Sequence, residues 1–225
     1  MDLISPIVDD TKIIVQIDNK NALIATGINF SLSNDTSLTI LEKDFTLESE
    51  YLGFSLSDIN KVLKTKVDYV IGSDILSKVN YRINNKKKEF TLSTDTILLE
   101  GTIVPIFFEL DIPNMEVIVN GKKIHTLIDS LSNFCYLHDK IVKDSPETST
   151  ESDFMIGMGN FNAKTYDITY LIDTLEENFK TGVYPPVISK SRRLTESKGV
   201  IGSQFLHKYI VTVNSTDKKL SCKKI

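Results

Sequence analysis

Asp129 is the residue in this chain whose setting most suggests chemistry. It ends the apolar run Thr126-Leu127-Ile128-Asp129-Ser130-Leu131, which aligns with Ala22-Leu23-Ile24-Ala25-Thr26-Gly27 at an offset of 104. A carboxylate presented where a strand turns sharply either caps backbone amides or serves as a site residue able to hold and activate a water. Its placement after the same apolar lead-in in both copies favours the second role. Other candidates carry less. His125, His138 and His207 lack metal-ligand spacing and no cysteine pair accompanies them, so no metal site is expected. Cys135 near His138 suggests a thiol nucleophile, but the apolar Phe134-Cys135-Tyr136-Leu137 run argues against an exposed thiolate. Gly157-Met158-Gly159 lacks the helix and lysine of a phosphate loop and reads as a hairpin. No nucleophile elbow is present.

The elements that position Asp129 repeat as well. Val70-Ile71-Gly72-Ser73-Asp74-Ile75-Leu76-Ser77-Lys78 matches Val200-Ile201-Gly202-Ser203-Gln204-Phe205-Leu206-His207-Lys208 at six of nine positions, offset by 130. Each copy is preceded by a strand and polar turn, with Asn120-Gly121 a strong hairpin signal, and followed by a hairpin over Tyr81 to Leu92 or Ile210 to Cys222. Lys86-Lys87-Lys88 reads as a solvated turn. Ile103 to Leu110 alternates as a strand; Phe154 to Gly159 and Lys164 to Ile172 read as a hairpin with its tip at Gly159-Asn160-Phe161-Asn162. Helices are short, with Ser57, Ser73 and Ser203 as candidate caps. The polar stretches Asp144 to Asp153 and Ser189 to Lys198 read as loops.

Taken together, these motifs resemble the retropepsin-like and pepsin-like aspartic peptidases. Leu127-Ile128-Asp129-Ser130 with Val200-Ile201-Gly202, and Leu23-Ile24-Ala25-Thr26-Gly27 with Val70-Ile71-Gly72, are similar to that family's aspartate loops and the glycine strands beside them. The resemblance implies an all-β fold, mainly β with short helices, in which two β-barrel lobes are related by pseudo-twofold symmetry. Residues 1–97 would form the first lobe and 98–225 the second, with a flap at Ile156, Gly157, Met158, Gly159 and Asn160. Thr26, Gly27 and Ser130 would brace the loops, and Gly72 and Gly202 would be structural. No flap is evident between Leu38 and Leu56.

Two departures bear on activity. Ala25 stands at the position of one catalytic aspartate, and Leu131 where the second loop would have glycine. In the family the two carboxylates share a proton and act together as base and acid; losing one costs on the order of 10²–10⁴ in rate. Three origins of Ala25 follow: natural loss, inactivation of an otherwise active endopeptidase, or a homodimer that pairs two Asp129 residues. The resemblance therefore implies a catalytically impaired module that binds an extended peptide between its lobes, as a monomer rather than a homodimer. The alternatives are an active aspartic endopeptidase captured inactive and a structural or regulatory interaction module. No cofactor is expected.

Composition is that of a folded protein: 225 residues, 41% hydrophobic, 25% charged. A formal charge of −4 gives no field for nucleic acid or an anionic membrane, and no run reaches the roughly 20 apolar residues of a span. The acidic start, without an apolar signal core, leads us to expect a cytoplasmic protein, or a secreted or periplasmic one if a leader has been removed. Cys135 and Cys222 read as unpaired hydrophobes, and the sequons at Asn34 and Asn214 carry little weight without a secretory signal.

Overall fold

Turn chemistry and β-branched runs dictate a strand-rich chain, and a computed structural model, which describes residues 2–9, 12–51, 53–143, 145–155, 158–185 and 196–225, is mainly β with only short helices. In chain order the first half carries β1 (Asp2–Asp9), β2 (Ile14–Ile17), β3 (Lys20–Ala25), β4 (Leu32–Ser33), β5 (Ser37–Ile40), β6 (Lys43–Thr46), β7 (Glu50–Tyr51), β8 (Phe54–Ser55), α1 (Leu56–Asn60), β9 (Tyr69–Gly72), α2 (Ser73–Leu76), β10 (Asn80–Asn84) and β11 (Glu89–Ser93). The second carries β12 (Thr102–Glu109), β13 (Ile112–Val119), β14 (Lys122–Ile128), β15 (Cys135–Leu137), α3 (Asp139–Val142), β16 (Glu147–Met155), β17 (Gly159–Ile172), β18 (Leu175–Val183), β19 (Gly199–Ile201), α4 (Ser203–Lys208), β20 (Tyr209–Asn214) and β21 (Lys219–Lys224).

The sequence repeats return as repeated registers. β2 and β3 form a hairpin closed by Asp18 (φ 49°) and Asn19 (φ 63°); β13 and β14 form one closed by Asn120 (φ 51°) and Gly121 (φ 72°). Both turns take the two left-handed residues that match strand twist. β3 then runs parallel to β9 (Leu23 beside Val70, Ile24 beside Ile71), as β14 does to β19 (Leu127 beside Val200, Ile128 beside Ile201). β4 and β15 return antiparallel on the other side, with Leu32 beside Val70 and Tyr136 beside Val200. The Val-Ile strands are thus interior, paired on both edges and buried throughout, which is why they are apolar at every position rather than alternating.

Gly72 and Gly202 end these strands where the backbone of the returning segment presses closest. A β-carbon would lie 2.1 Å from the carbonyl oxygen of Phe30 at the first and 2.3 Å from that of Phe134 at the second. These glycines, rather than Ser73 and Ser203, occupy the N-cap positions of α2 and α4. The serines lie one residue inside, and Ser73 Oγ instead donates to the Thr26 carbonyl at 2.6 Å.

The halves meet in an antiparallel sheet ordered β1-β11-β10-β20-β21-β12. At its centre Arg82 faces Thr212 across β10 and β20 and donates to its hydroxyl at 2.9 Å. The connecting segment 94–101 is pinned to these strands: Asn80 holds the Asp95 carbonyl, and Asn214 bonds both the N–H and the carbonyl of Ile97. That use of a fully buried Asn214 closes its sequon to a glycan. One apolar core runs through both halves, from Ile24 and Ile83 to Ile128, Phe205 and Val213.

Three further sequence expectations need correction. Ser55, not Ser57, caps α1, with Asp58 completing a capping box, because the helix starts two residues earlier, at Leu56. The polar stretch expected as a loop over Asp144 to Asp153 contributes β16 from Glu147 onward; it pairs with β17 along its length, so backbone hydrogen bonds hold it without an apolar face. Gly159 to Asn162, expected as the hairpin tip, is instead already paired strand, facing Met155 back to Ser152. The region 38–56, where no flap was evident, holds two small hairpins, β5–β6 and β7–β8. Ser189 to Lys198 falls largely outside the described residues. No described helix is long and apolar enough to cross a membrane.

Candidate functional site

The ends of β3 and β14 deliver two loops back to back, and the hydrogen bonds between them are reciprocal. Thr26 Oγ1 donates to the Ile128 carbonyl at 2.9 Å and accepts from Ser130 N at 3.0 Å. Ser130 Oγ donates to the Ile24 carbonyl at 2.5 Å and accepts from Thr26 N at 3.1 Å. Each bond maps onto its counterpart by the offset of 104 that relates the sequences. Both hydroxyls are buried, so the loops have no water to bond to instead, and the exchange fixes their relative position.

Asp129, half-buried, stands on this crossing. Its Oδ1 accepts the Leu131 N–H at 2.9 Å and its Oδ2 the Ser132 hydroxyl at 2.7 Å. The carboxyl packs against Gly27 of the opposite loop, where a β-carbon would come within 2.4 Å of Cγ. Gly27 is therefore required by close approach and not by its backbone angle. Leu131 keeps its amide on the carboxylate, so the absence of glycine there has not diverted the loop.

Ala25 is fully buried and shares an apolar cluster with Leu131, which reaches across from the second half into residues of the first. Because the loops exchange bonds reciprocally, Leu131 stands to position 25 as Gly27 stands to Asp129. Gly27 leaves room for a carboxyl opposite; Leu131 has a side chain in the corresponding space. Ala25 and Leu131 thus make this side of the crossing apolar, within one buried cluster.

Several polar residues that the sequence did not single out surround Asp129. Asp153 on β16 is buried and accepts from Asn133 N (3.1 Å), the Tyr136 hydroxyl (2.8 Å) and Phe154 N (2.8 Å). Burial raises its carboxyl above the usual range, against those hydrogen bonds and the nearby charge of Lys12. This carboxylate ties the tip end of the β16–β17 hairpin, where Asp153 pairs with Phe161, to the segment that follows Asp129. Lys12, between β1 and β2, crosses from the first half: its Nζ donates to the Leu131 carbonyl and, at 2.7 Å, to Asn133 Oδ1. Burial lowers its pKa, and Asp153 and Asp129 oppose that shift. No local motif marks these residues: the Lys12 contacts span 119 and 121 positions, and Asp153 reaches back 20 and 17 positions to Asn133 and Tyr136.

Of the expected flap, Ile156 and Gly157 lie outside the described residues. Met158 sits in the turn, donating to the Met155 carbonyl at 3.1 Å, and Gly159 (φ 78°) and Asn160 open β17. Cys135 is buried and its thiol is pushed up to about 12 by desolvation, while His138 caps α3 by accepting Lys140 N, so the two form no nucleophile–base pair. Both cysteines are free. Among the described residues no group of three or more His, Cys, Asp or Glu side chains could hold a metal ion. A comparison with protein-family models gives no match, and a comparison with curated proteins gives none either.

Proposed function

We propose that this chain is a single-carboxylate relative of the pepsin-like aspartic peptidases, two lobes divided near residue 97, which holds an extended peptide in the cleft between them without hydrolysing it. The observation that carries the reading is the reciprocal Thr26/Ser130 exchange, which brings a carboxyl-bearing loop and an alanine-bearing loop into mirrored positions. Peptide hydrolysis needs a base for the water and an acid for the carbonyl oxygen at one pH. Asp129 serves as the first, and the mirrored position offers only a methyl group. The peptide would be gripped by backbone hydrogen bonds along the β16–β17 hairpin, a strand-addition mode in which the backbone supplies affinity and side-chain pockets supply preference.

Two alternatives fit less well. An active enzyme inactivated only at position 25 would keep a small residue at 131, where Leu131 stands. A homodimer pairing two Asp129 residues would need the partner surface, which Thr26 and Ile24 of the same chain already occupy.

The test is hydrogen exchange in the presence of a tryptic casein digest, read by mass spectrometry. Bound peptides recovered intact, with slowed exchange in β16 and in residues 158–166, are expected. Cleaved peptides, or binding with unchanged exchange in that hairpin, would refute the reading.

A further inference from the structure

Against the loop that carries Asp129 stands a lysine whose charge is incompletely met. Lys12 is half-buried, and its ammonium has three donors. Two go to neutral oxygens, the Leu131 carbonyl and Asn133 Oδ1. No carboxylate of the described residues comes within ion-pairing distance of it, whereas Lys20, Lys180 and Lys208 each bond a carboxylate at 2.7 Å or less. Asp153, the nearer influence, is saturated by Asn133, Tyr136 and Phe154 and is only 3% exposed. Asp129 is engaged by Leu131 and Ser132.

We infer that Lys12 is a specificity-determining residue of the cleft, using its third N–H to take a carboxylate, so that the preferred ligand is an extended peptide with an acidic side chain at one fixed position. The sign follows from the balance at the ammonium. Desolvation there outweighs the combined pull of Asp153 and Asp129, so the site still under-stabilises positive charge, and an added anion within contact distance is favourable. A charge-assisted bond of this kind is roughly twice as strong as a neutral one. The second half has no counterpart: its matching connection, between β12 and β13, is the tight turn Leu110-Asp111. The preference therefore belongs to one end of the cleft and fixes the direction in which a peptide lies.

This inference rests on the cleft binding peptide, and the experiment separates the two. Acetylated and amidated octapeptides, each fixed as Glu or as Gln at one position in turn, are titrated by fluorescence polarisation. At one position Glu is expected to bind about 10-fold tighter than Gln, a difference of about 1.4 kcal/mol. The preference should vanish in Lys12→Met and survive in Lys12→Arg. Lys12→Gln, which keeps donors for Leu131 and Asn133, provides a second variant should the methionine unfold the loop. Equal binding of Glu and Gln peptides at every position, or a preference that persists in Lys12→Met, overturns the role of Lys12 and leaves the cleft intact as a binding site. Absence of binding by any peptide overturns both.

Discussion

Ala25→Asp alone is expected to give no peptidase activity and a less stable protein, whereas Ala25→Asp combined with Leu131→Gly is expected to cleave peptides at mildly acid pH. The single variant places a carboxyl in a fully buried site against the side chain of Leu131, in the geometry that at Gly27 would bring a β-carbon within 2.4 Å of Asp129. Overpacking of this kind costs about 1–3 kcal/mol. Burial and the neighbouring Asp129 both disfavour ionisation of the new group, so its pKa in the folded state is raised above the unfolded value of about 3.9. Stability linked to a raised carboxyl is present below the unfolded pKa and is lost as pH rises through the folded one. The penalty in Ala25→Asp should therefore be smallest below about pH 4 and grow toward neutrality. Removing the Leu131 side chain frees the space and lets two carboxyls share a proton. The double variant should then exceed either single variant by at least about 10²-fold in cleavage rate. Full activity in Ala25→Asp with no loss of stability would show that Leu131 does not fill the place of the missing group.

The second large effect concerns the hydroxyls that lock the loops. Thr26→Val keeps the shape of the side chain but strands the Ser130 N–H and the Ile128 carbonyl; Ser130→Ala strands the Thr26 N–H and the Ile24 carbonyl. All of these lie in a buried crossing, and each group left without a partner costs about 1–3 kcal/mol. Urea denaturation should give a loss of roughly 2–4 kcal/mol for each variant on that basis. Once one exchange is broken the loops can separate and admit water, so the double variant should lose less than the sum of the singles. Simple additivity, or losses under about 0.5 kcal/mol, would mean that the crossing is not what holds the halves in register.

How far the sequence reveals this arrangement depends on the range of the interaction. The Val-Ile-Gly strands, the Asp18-Asn19 and Asn120-Gly121 turns and the strand pairs around Lys86-Lys87-Lys88 are local features, set by apolar runs and turn chemistry, and they could be read directly. β16 could not, because Thr148, Ser149, Thr150 and Ser152 carry no alternation and the strand is held by pairing with β17. Nor could the caps at Gly72 and Gly202, whose cause is a carbonyl about 40 or 70 residues upstream. Asp129 stood out through its repeat with Ala25, and Asn133 repeats Asn29 at the same offset, but Asp153 and Lys12 had no copy to compare with and no motif around them. Leu131 was legible only as a missing glycine. Its place in the apolar cluster around Ala25 needs the two loops set face to face.

For Leu131 to take the place of a carboxylate at position 25, the two side chains must touch across the crossing, and a cross-link tests this most directly. In a variant carrying Ala25→Cys and Leu131→Cys, β-carbons in van der Waals contact fall near the 3.5–4.5 Å that a disulfide requires, and the native thiols of Cys135 and Cys222 are buried out of competition. Mild oxidation followed by peptide mapping should yield a single linked fragment joining residue 25 to residue 131, formed in the folded protein and absent after unfolding in denaturant. Two thiols that stay separately alkylatable in the folded state would contradict the account.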